Sequence, residues 1–127
     1  MHSTSLKDLS QTIIDLKISP SSTVMIHSSL LKFGIIENGI EGLLKCIVES
    51  LAGDTTILMP AFTFGFSASR YWSAKNTKSE MGALTEYFRK QEGTIRTLHP
   101  FHSVVAYGAH AKGFSACNSL SSFGKGS

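Results

Sequence analysis

The stretch Thr23–Met59, TVMIHSSLLKFGIIENGIEGLLKCIVESLAGDTTILM, decides the fold of this chain. It opens on Thr23–Ile26, a short β-branched and apolar run that predicts a buried strand. It closes on Thr55–Met59, a run of the same kind that predicts a second strand. Between the two runs, apolar residues recur at the spacing of one helix face, namely Ile40, Leu43, Leu44, Ile47, Val48 and Leu51. A strand, a helix and a strand in this order predict a parallel pair of strands within an α/β domain.

Further segments extend this alternation on both sides. Residues 5–17 carry apolar side chains at helical spacing behind a serine that can cap a helix, and residues 81–88 carry one apolar face of a third helix. Residues 103–107 predict a third strand, and residues 111–117 a short helix. We therefore expect an α/β fold with an open, largely parallel sheet and flanking helices.

The last residues of the chain, 121–127, read SSFGKGS and show neither a helix nor a strand pattern. An open sheet of three strands leaves an edge unpaired and a face uncovered. We therefore expect residues 1–127 to be a truncated part of a larger single domain. We also expect the exposed edge and face to cause aggregation or to favour a homodimer.

Length and composition narrow the function classes. The chain has 127 residues, 42% hydrophobic and 17% charged, as in a single globular domain. The sequence has neither an apolar run of about 18 residues nor a secretory signal pattern, so we expect no membrane partner and a cytoplasmic location. The net charge of +3 comes from scattered residues, which argues against a nucleic-acid partner. Two distant cysteines, Cys46 and Cys117, indicate neither a disulfide framework nor a zinc site.

Residues 61–80 show no periodicity, although they are rich in aromatic side chains. A structureless segment of this length is uncommon in a compact domain and is usually functional or disordered. The aromatic residues are Phe62, Phe64, Phe66, Tyr71 and Trp72. Because a disordered linker lacks such apolar area, we predict a loop that wraps over a ligand pocket.

Two histidines, His99 and His102, stand on either side of Pro100 and Phe101. The proline prevents a helix that would place both imidazoles on one face, and no third ligand is close in sequence, so we expect no metal site. Either imidazole could act as a general base, in a structural role or as a ligand contact. The residues alone leave these alternatives open.

The segment His27–Leu30 follows the first strand, at the edge where open α/β sheets bind ligands. Its two hydroxyls, Ser28 and Ser29, could hold phosphate or amide oxygens of a ligand. They could equally cap a short helix. This segment by itself does not decide between the two interpretations.

Four segments resemble, in order and spacing, those of one known family: HSSL at residues 27–30, MPAFTF at 59–64, MGALTEYFR at 81–89 and RTLHPFHSV at 96–104. The segment FGKGS at residues 123–127 adds a fifth. Over residues 20–127 the chain resembles the aminoglycoside 3-N-acetyltransferase family.

This resemblance implies that acetyl-CoA is the co-substrate and that its acetyl group passes to an amine of an aminoglycoside antibiotic or an amino sugar. It implies that residues 1–127 form the amino-terminal, CoA-binding half of an α/β domain. The implied CoA contacts are His27, Ser28, Ser29, Leu30, His102, Ser103 and Val104. The implied substrate contacts are Thr63 and Phe64.

The resemblance also implies what this chain lacks. In the family, the catalytic histidine and its acidic partner follow the glycine-rich segment, so we expect no catalytic residue among residues 1–127 and little or no turnover by them alone. The loop from Ala61 to Ser79 has no carboxylate but carries Arg70, Lys75 and Lys78, which favours an acceptor less cationic than an aminoglycoside. The alternative function is a non-catalytic CoA-binding or interaction module.

Overall fold

A computed structural model describes residues 3–116 and 121–125 of the chain. The elements in chain order are β1 (Ser3–Thr4), α1 (Leu6–Asp15), β2 (Thr23–Met25), β3 (Ile35–Ile36), α2 (Gly39–Ser50), β4 (Thr56–Pro60), α3 (Phe66–Ser69), α4 (Ala83–Arg89), β5 (Ile95–Arg96) and β6 (Val104–Tyr107). Short 3-10 turns lie at Leu30–Lys32 and Ala111–Ala116. Within the described ranges, no helix is long and apolar enough to cross a membrane.

Helix α1 begins where the sequence supplies a cap. The Ser5 hydroxyl accepts a hydrogen bond from the Asp8 backbone N–H. The helix ends before Lys17, which has a left-handed conformation with φ of 51°. Its apolar face packs on the main core through Leu6, Leu9 and Ile13. The predicted helix over residues 5–17 is therefore confirmed.

The main core lies between the sheet and the helices α2 and α4. It consists of Leu43, Leu44, Ile47, Ile57, Met59, Ala61, Leu84, Phe88 and Val105. Strand β4 contributes side chains to the packing on both faces of the sheet, because alternate side chains of a strand point to opposite sides. Ile57 and Met59 belong to the main core, whereas Leu58 packs with Ala106 and Ala111 in a smaller cluster. The apolar face predicted for α2 is confirmed.

The main sheet has the strand order β2-β4-β6-β5. β2 and β4 pair in parallel, with Thr23 opposite Thr56 and Met25 opposite Leu58. This pairing confirms the predicted strand, helix, strand unit and, with the flanking helices, the α/β class. It also brings the end of β2 to the carboxyl end of β4, where the candidate site lies.

The other half of the sheet differs from the prediction. β6 is antiparallel to β4 on one side and to β5 on the other, so the expectation of a largely parallel sheet is wrong there and the sheet is mixed. The reason is β5, a strand of two residues that hydrophobic periodicity does not reveal. A parallel crossover needs about a dozen residues, and the connection from Arg96 to Val104 is shorter, so the chain folds straight back.

Smaller differences concern the short elements. β1 and β3 form a separate parallel pair that the sequence did not predict. Helix α4 starts at Ala83 rather than at residue 81, and the predicted helix over residues 111–117 is a 3-10 turn up to Ala116. Cys117 lies outside the described residues, as do residues 126–127.

Candidate functional site

The segment after β2 leaves the sheet at its carboxyl edge and enters a 3-10 turn. Ser29 occupies the capping position of this turn, but its side chain makes no capping hydrogen bond. Ser28 is half-buried, and neither hydroxyl bonds to another residue in the described part of the chain. The capping interpretation is therefore wrong for Ser29, and both hydroxyls are available to a ligand.

The two serines line an open groove of about 820 Å³. One wall is formed by residues 28–31 and the opposite wall by residues 80–83, while Gly34 and Ile35 complete the lining. Small-molecule sites typically measure roughly 300–1,000 Å³. The groove therefore has the size of a ligand site, and it brings together two of the segments that the sequence singled out.

The residues of segment 27–30 have different surroundings. His27 is exposed and lies outside the groove lining, beside a smaller apolar cavity of about 300 Å³. Leu30 lines the groove and packs against the main core, and Leu31 is 97% exposed at the groove. The structure thus brings Ser28, Ser29 and Leu30 together and leaves His27 apart.

At the same edge of the sheet, the polar groups of Ser103 and Val104 are hydrogen-bonded within the protein. Ser103 is fully buried, and its hydroxyl donates to the Ala61 carbonyl at 2.8 Å and accepts from Nε of Arg96 at 2.9 Å. The Val104 N–H donates to the Thr97 hydroxyl at 2.9 Å, and the Val104 carbonyl accepts from the Thr97 N–H at 2.9 Å. These groups are therefore not free for the CoA contacts predicted for Ser103 and Val104.

His102 lies in a cluster of aromatic rings. Its ring meets Phe62 edge-on, with centroids 5.0 Å apart and planes at 83°, and lies 6.0 Å from the exposed ring of Phe123. Phe64, His99 and Phe101 make further ring contacts. Nδ1 of His102 is buried and makes no hydrogen bond with the described residues. The imidazole thus has a polar atom that the described protein groups do not satisfy.

His99 accepts hydrogen bonds from the backbone. It is largely buried, and its Nδ1 accepts from the N–H groups of Phe101 at 3.1 Å and His102 at 2.9 Å. A ring nitrogen that accepts these bonds is not free to act as a base or to bind a metal. Among the alternatives left open by the sequence, this geometry supports a structural role. No metal-binding group of three His, Cys, Asp or Glu side chains occurs among the described residues.

The two predicted substrate contacts differ in exposure. Thr63 is buried, and its Oγ1 donates to the Lys78 carbonyl and accepts from Nη2 of Arg96, both at 3.3 Å. Phe64 is 46% exposed, and its ring lies 6.0 Å from that of Phe62. Phe64 therefore has surface for a ligand, whereas Thr63 holds the loop in place.

Glu80 connects the groove with the aromatic cluster. Its N–H donates to the Phe62 carbonyl at 2.9 Å, and its carboxylate accepts from the Gly65 N–H at 2.8 Å. Glu80 also lines the groove. An acidic residue thus lies in the groove lining, one position beyond the acid-free loop of residues 61–79, and its carboxylate is bonded to that loop.

Partly buried charged residues contact the loop. Burial, and secondly the nearby guanidinium of Arg89, lower the pKa of Arg96 to about 10, so Arg96 is cationic at neutral pH. Burial alone would raise the pKa of Glu86, but hydrogen bonds from Arg89 and from the Ser79 N–H outweigh it, and the pKa lies below its ordinary 4.5. The same pairing with Glu86 raises the pKa of Arg89.

Sequence reasoning assigned no role to Arg96 or Glu80. A single arginine at the start of RTLHPFHSV resembles any exposed charge, because sequence alone does not show that β5 is enclosed by the loop. Its position at the start of a segment shared with the resembled family was the available signal. Glu80 follows directly after the acid-free loop of residues 61–79, and its contact with Gly65 depends on the chain folding back on itself.

The family model of the aminoglycoside 3-N-acetyltransferases matches residues 25–127. A curated relative is YokD of Bacillus subtilis (strain 168), an SPbeta prophage-derived aminoglycoside N(3')-acetyltransferase-like protein. The alignment with YokD is 126 positions long at 26% identity, and it covers 82% of this chain and 46% of YokD. The chain therefore spans about half the length of the curated relative that it matches.

Solved structures share the fold. The crystal structure of YokD matches with a TM-score of 0.75 at 21% identity, covering 87% of this chain and 52% of that chain. A mutant of aminoglycoside acetyltransferase AAC(3)-IVa in complex with apramycin has a TM-score of 0.81 at 19% identity, covering 93% and 48%. AAC-IIIb in a binary complex with CoASH has a TM-score of 0.74 at 19% identity, covering 89% and 49%. Since the family model covers residues 25–127 and this fold agrees with it, the chain belongs to the aminoglycoside 3-N-acetyltransferase family.

Proposed function

We propose that the groove binds acetyl-CoA and that the whole protein transfers the acetyl group to an amine of an aminoglycoside or an amino sugar. Family membership supports acetyl transfer. AAC-IIIb was solved with CoASH and AAC(3)-IVa with apramycin, and both share the fold. The observation that carries the proposal is the groove itself, because it is lined by two hydroxyls without a partner among the described residues.

The groove suits the pantetheine arm of CoA in its chemistry. The arm carries amide groups and ends in phosphates, whose oxygens can accept hydrogen bonds from Ser28 and Ser29. Leu30, Leu31 and Met81 offer apolar surface to the carbon chain of the arm. Few polar groups on a largely apolar lining are typical of sites that bind a small molecule in one orientation.

The acceptor is proposed to lie beside the aromatic cluster. Phe64 has exposed ring surface there, and the carboxylate of Glu80 would attract an ammonium group. This carboxylate weakens the argument for an acceptor less cationic than an aminoglycoside. We assign His102 to a ligand contact through the accessible part of its half-buried ring. Thr63, Ser103 and Val104 are assigned to structural support of these site residues.

Acetyl transfer to an amine needs a base that removes the ammonium proton and donors that stabilise the developing oxyanion. Nδ1 of His99 is occupied by two backbone N–H groups, and we assign no base among the described residues. We therefore propose that the 127-residue chain binds acetyl-CoA without turnover. The base would belong to the half of the family fold that this chain does not span, and the whole protein would act in the cytoplasm.

Calorimetric titration of the 127-residue chain with acetyl-CoA tests the proposed site. We expect saturable binding that the double variant Ser28→Ala, Ser29→Ala weakens about tenfold or more. The matched control is the double variant Ser22→Ala, Ser115→Ala. Its hydroxyls bond locally, to the carbonyls of Ser19 and Lys112, at the opposite edge of the sheet. This control should bind like the wild type.

Two results would contradict the proposal. A well-folded chain that does not bind acetyl-CoA would exclude a groove that forms by itself. Equal weakening by both double variants would show that stability rather than contact is responsible. Binding by a chain extended to the length of its relatives, without release of free CoA in the presence of apramycin or an amino sugar, would favour the non-catalytic CoA-binding module.

We also propose that the isolated chain forms a homodimer through β2, which is an edge strand of the main sheet as described. Met25 on this strand is 44% exposed, beside an apolar cavity lined in part by Leu16 and Ile18. Exposed apolar edges of this kind favour pairing with another chain. Sedimentation velocity should show a concentration-dependent dimer that Met25→Lys shifts to monomer. A wild type that is monomeric at every concentration would contradict this.

A further inference from the structure

The loop of residues 61–80 is held against the sheet by Arg96 on β5. Nη1 of Arg96 donates to the Ala74 carbonyl at 3.2 Å and to the Thr77 carbonyl, and Nη2 donates to the Ala61 carbonyl at 3.0 Å. Nε is bound by the buried serine before β6. One guanidinium thus connects three places: the beginning of the loop, its second half, and the residue just before β6.

The flat face of the same guanidinium carries an aromatic ring. The Arg96 Cζ lies 5.1 Å from the ring centroid of Trp72, within the range of a cation–π contact. Trp72 is the single tryptophan of the chain. Its Nε1 is buried and has no hydrogen-bond partner among the described residues. Within that part of the chain, packing on Arg96 rather than a hydrogen bond of its indole holds this ring.

Helix α4 supplies a second set of contacts to the loop. Nη1 of Arg89 donates to the Lys75 carbonyl at 2.6 Å, and the Ser79 N–H donates to the Glu86 carboxylate at 2.9 Å. Arg89 and Glu86 pair with each other, with side chains 6% and 18% exposed. We refer to Glu86, Arg89 and Arg96 as the clamp. Its members grip the loop from one helix and one strand.

We propose that Arg96 is a positioning residue whose clamp holds residues 61–80 closed and thereby fixes Phe64 and Glu80 beside the groove. Arg96 is not part of the groove lining, so it acts through the loop. The identity of the ligand in this inference rests on the proposed function. The clamp itself does not, because it is defined by contacts within the protein.

The geometry requires arginine rather than any cation. A guanidinium presents five N–H donors in a rigid plane, whereas lysine is a compact charge on a flexible stem. The acceptors of Arg96 are spread around its whole plane, and the ring of Trp72 lies over its face. We therefore expect Arg96→Lys to keep part of the clamp and Arg96→Gln to lose most of it.

Limited proteolysis with trypsin tests the clamp without any ligand. Lys75 and Lys78 lie in the loop and are exposed, so the enzyme can cut after them once the backbone opens. We expect Arg96→Gln to raise the rate of cleavage at these two bonds by about tenfold or more, since charged hydrogen bonds are lost. Arg96→Lys should lie between this variant and the wild type.

The controls separate loop opening from unfolding. Arg70→Gln is the same substitution at an exposed arginine of the same loop, and it should leave the rates after Lys75 and Lys78 unchanged. Cleavage after Lys45, in the middle of α2, reports global unfolding, and in Arg96→Gln it should rise less than cleavage after Lys75 and Lys78. Equal loop cleavage in Arg96→Gln and wild type would overturn the clamp.

Hydrogen exchange of the wild type provides a measurement that needs no variant, in case Arg96→Gln does not fold. The N–H groups of Gly65 and Glu80 donate hydrogen bonds within the loop, and the N–H of Ser79 donates to Glu86 on α4. They should exchange at least about tenfold more slowly than those of an unstructured chain. Exchange at the unstructured rate would overturn the proposal.

Binding of acetyl-CoA then tests the positioning step. Glu80, at the end of the clamped loop, also lines the groove, so an open loop should disturb the proposed acetyl-CoA site. With folding checked by circular dichroism, Arg96→Gln should therefore weaken binding about tenfold, Arg96→Lys should restore part of it, and Arg70→Gln should bind normally. An opened loop with unchanged affinity would overturn the positioning role. A wild type that does not bind would reject the proposed function, and proteolysis alone would then decide the clamp.

Discussion

Ser29 and Ser103 lie at the same edge of the sheet, one after β2 and the other before β6, and their surroundings are opposite. Ser29 is exposed, and its hydroxyl makes no capping bond. Ser103 is fully buried, and its hydroxyl bonds to Ala61 and Arg96. The sequence predicts both residues as CoA contacts. In the structure, however, the Ser29 hydroxyl is accessible, whereas the Ser103 hydroxyl is hydrogen-bonded within the protein.

The position of each strand explains the difference. β2 is an edge strand as described, so the chain that follows it borders an open groove. β6 lies between β4 and β5, and the loop of residues 61–80 encloses its entry. A buried hydroxyl needs a hydrogen-bond partner within the protein, whereas a hydroxyl at an open edge remains accessible to solvent or a ligand. A serine at this edge is therefore open to a ligand only where no neighbouring strand binds it, as we propose for Ser29.

Replacing Ser103 by Ala tests the buried side and should have the largest effect. The variant leaves the Ala61 carbonyl and Nε of Arg96 each with one partner fewer, in a place that water does not reach. We expect the free energy of unfolding to fall by about 1–3 kcal/mol. Urea denaturation measures this change.

Ser115→Ala is the matched control for this prediction. Its hydroxyl bonds locally to the Lys112 carbonyl in an exposed 3-10 turn, so its free energy of unfolding should change by less than about 0.5 kcal/mol. If Ser103→Ala proved as stable as this control, the hydroxyl of Ser103 would not be needed for packing. A ligand role for it would then be open again.

Glu86→Gln tests the enclosed side of the sheet edge through its pH dependence. Its effect on the free energy of unfolding should be smaller than that of Ser103→Ala. The pKa of Glu86 lies below its unfolded value of 4.5, so its contribution to stability is present above that pH and is lost as pH falls through the folded-state pKa. We expect the variant to be less stable by about 1 kcal/mol at pH 7. The difference from wild type should shrink below about pH 4.

Denaturation curves measured from pH 7 to pH 3 check this sign. Lys45 and Glu49 form an exposed pair on α2, with side chains 73% and 65% exposed, so Glu49→Gln is a suitable control. It should change stability little at any pH. A difference for Glu86→Gln that stayed constant with pH would show that its charge does not contribute.

Much of the fold was predictable because its signal is local. The apolar face of α2 and the two runs around it are periodic, so their parallel pairing followed from the sequence. The direction of β6 was not predictable in the same way, because it depends on β5, where Ile95 and Arg96 form a strand too short to carry a period. Because this two-residue strand was not predicted, the direction of β6 relative to its neighbours was predicted wrongly.

The sequence predicted ligand contacts at the edge of the sheet where the first strand ends, but it did not reveal the surroundings of each residue. The segments around Ser29 and Met81 meet at one groove, although the sequence predicted no ligand contact for the second of them. Whether a side chain faces that groove or the interior depends on burial, which is set by distant parts of the chain. Thr63 and Ser103 are both bound by Arg96, and no spacing in the sequence shows that contact.

Ser29→Ala tests the open side and should have the smallest effect on stability. Because its hydroxyl has no partner among the described residues, the free energy of unfolding should stay within about 0.5 kcal/mol of wild type. Affinity for acetyl-CoA, measured by calorimetry, should nevertheless fall several-fold, on the order of one lost hydrogen bond. Loss of stability comparable to that of Ser103→Ala would mean that both hydroxyls serve the protein, and the groove would lose its strongest sign of a ligand. A change in affinity without a change in stability is the result that separates the two edges, because packing cannot produce it.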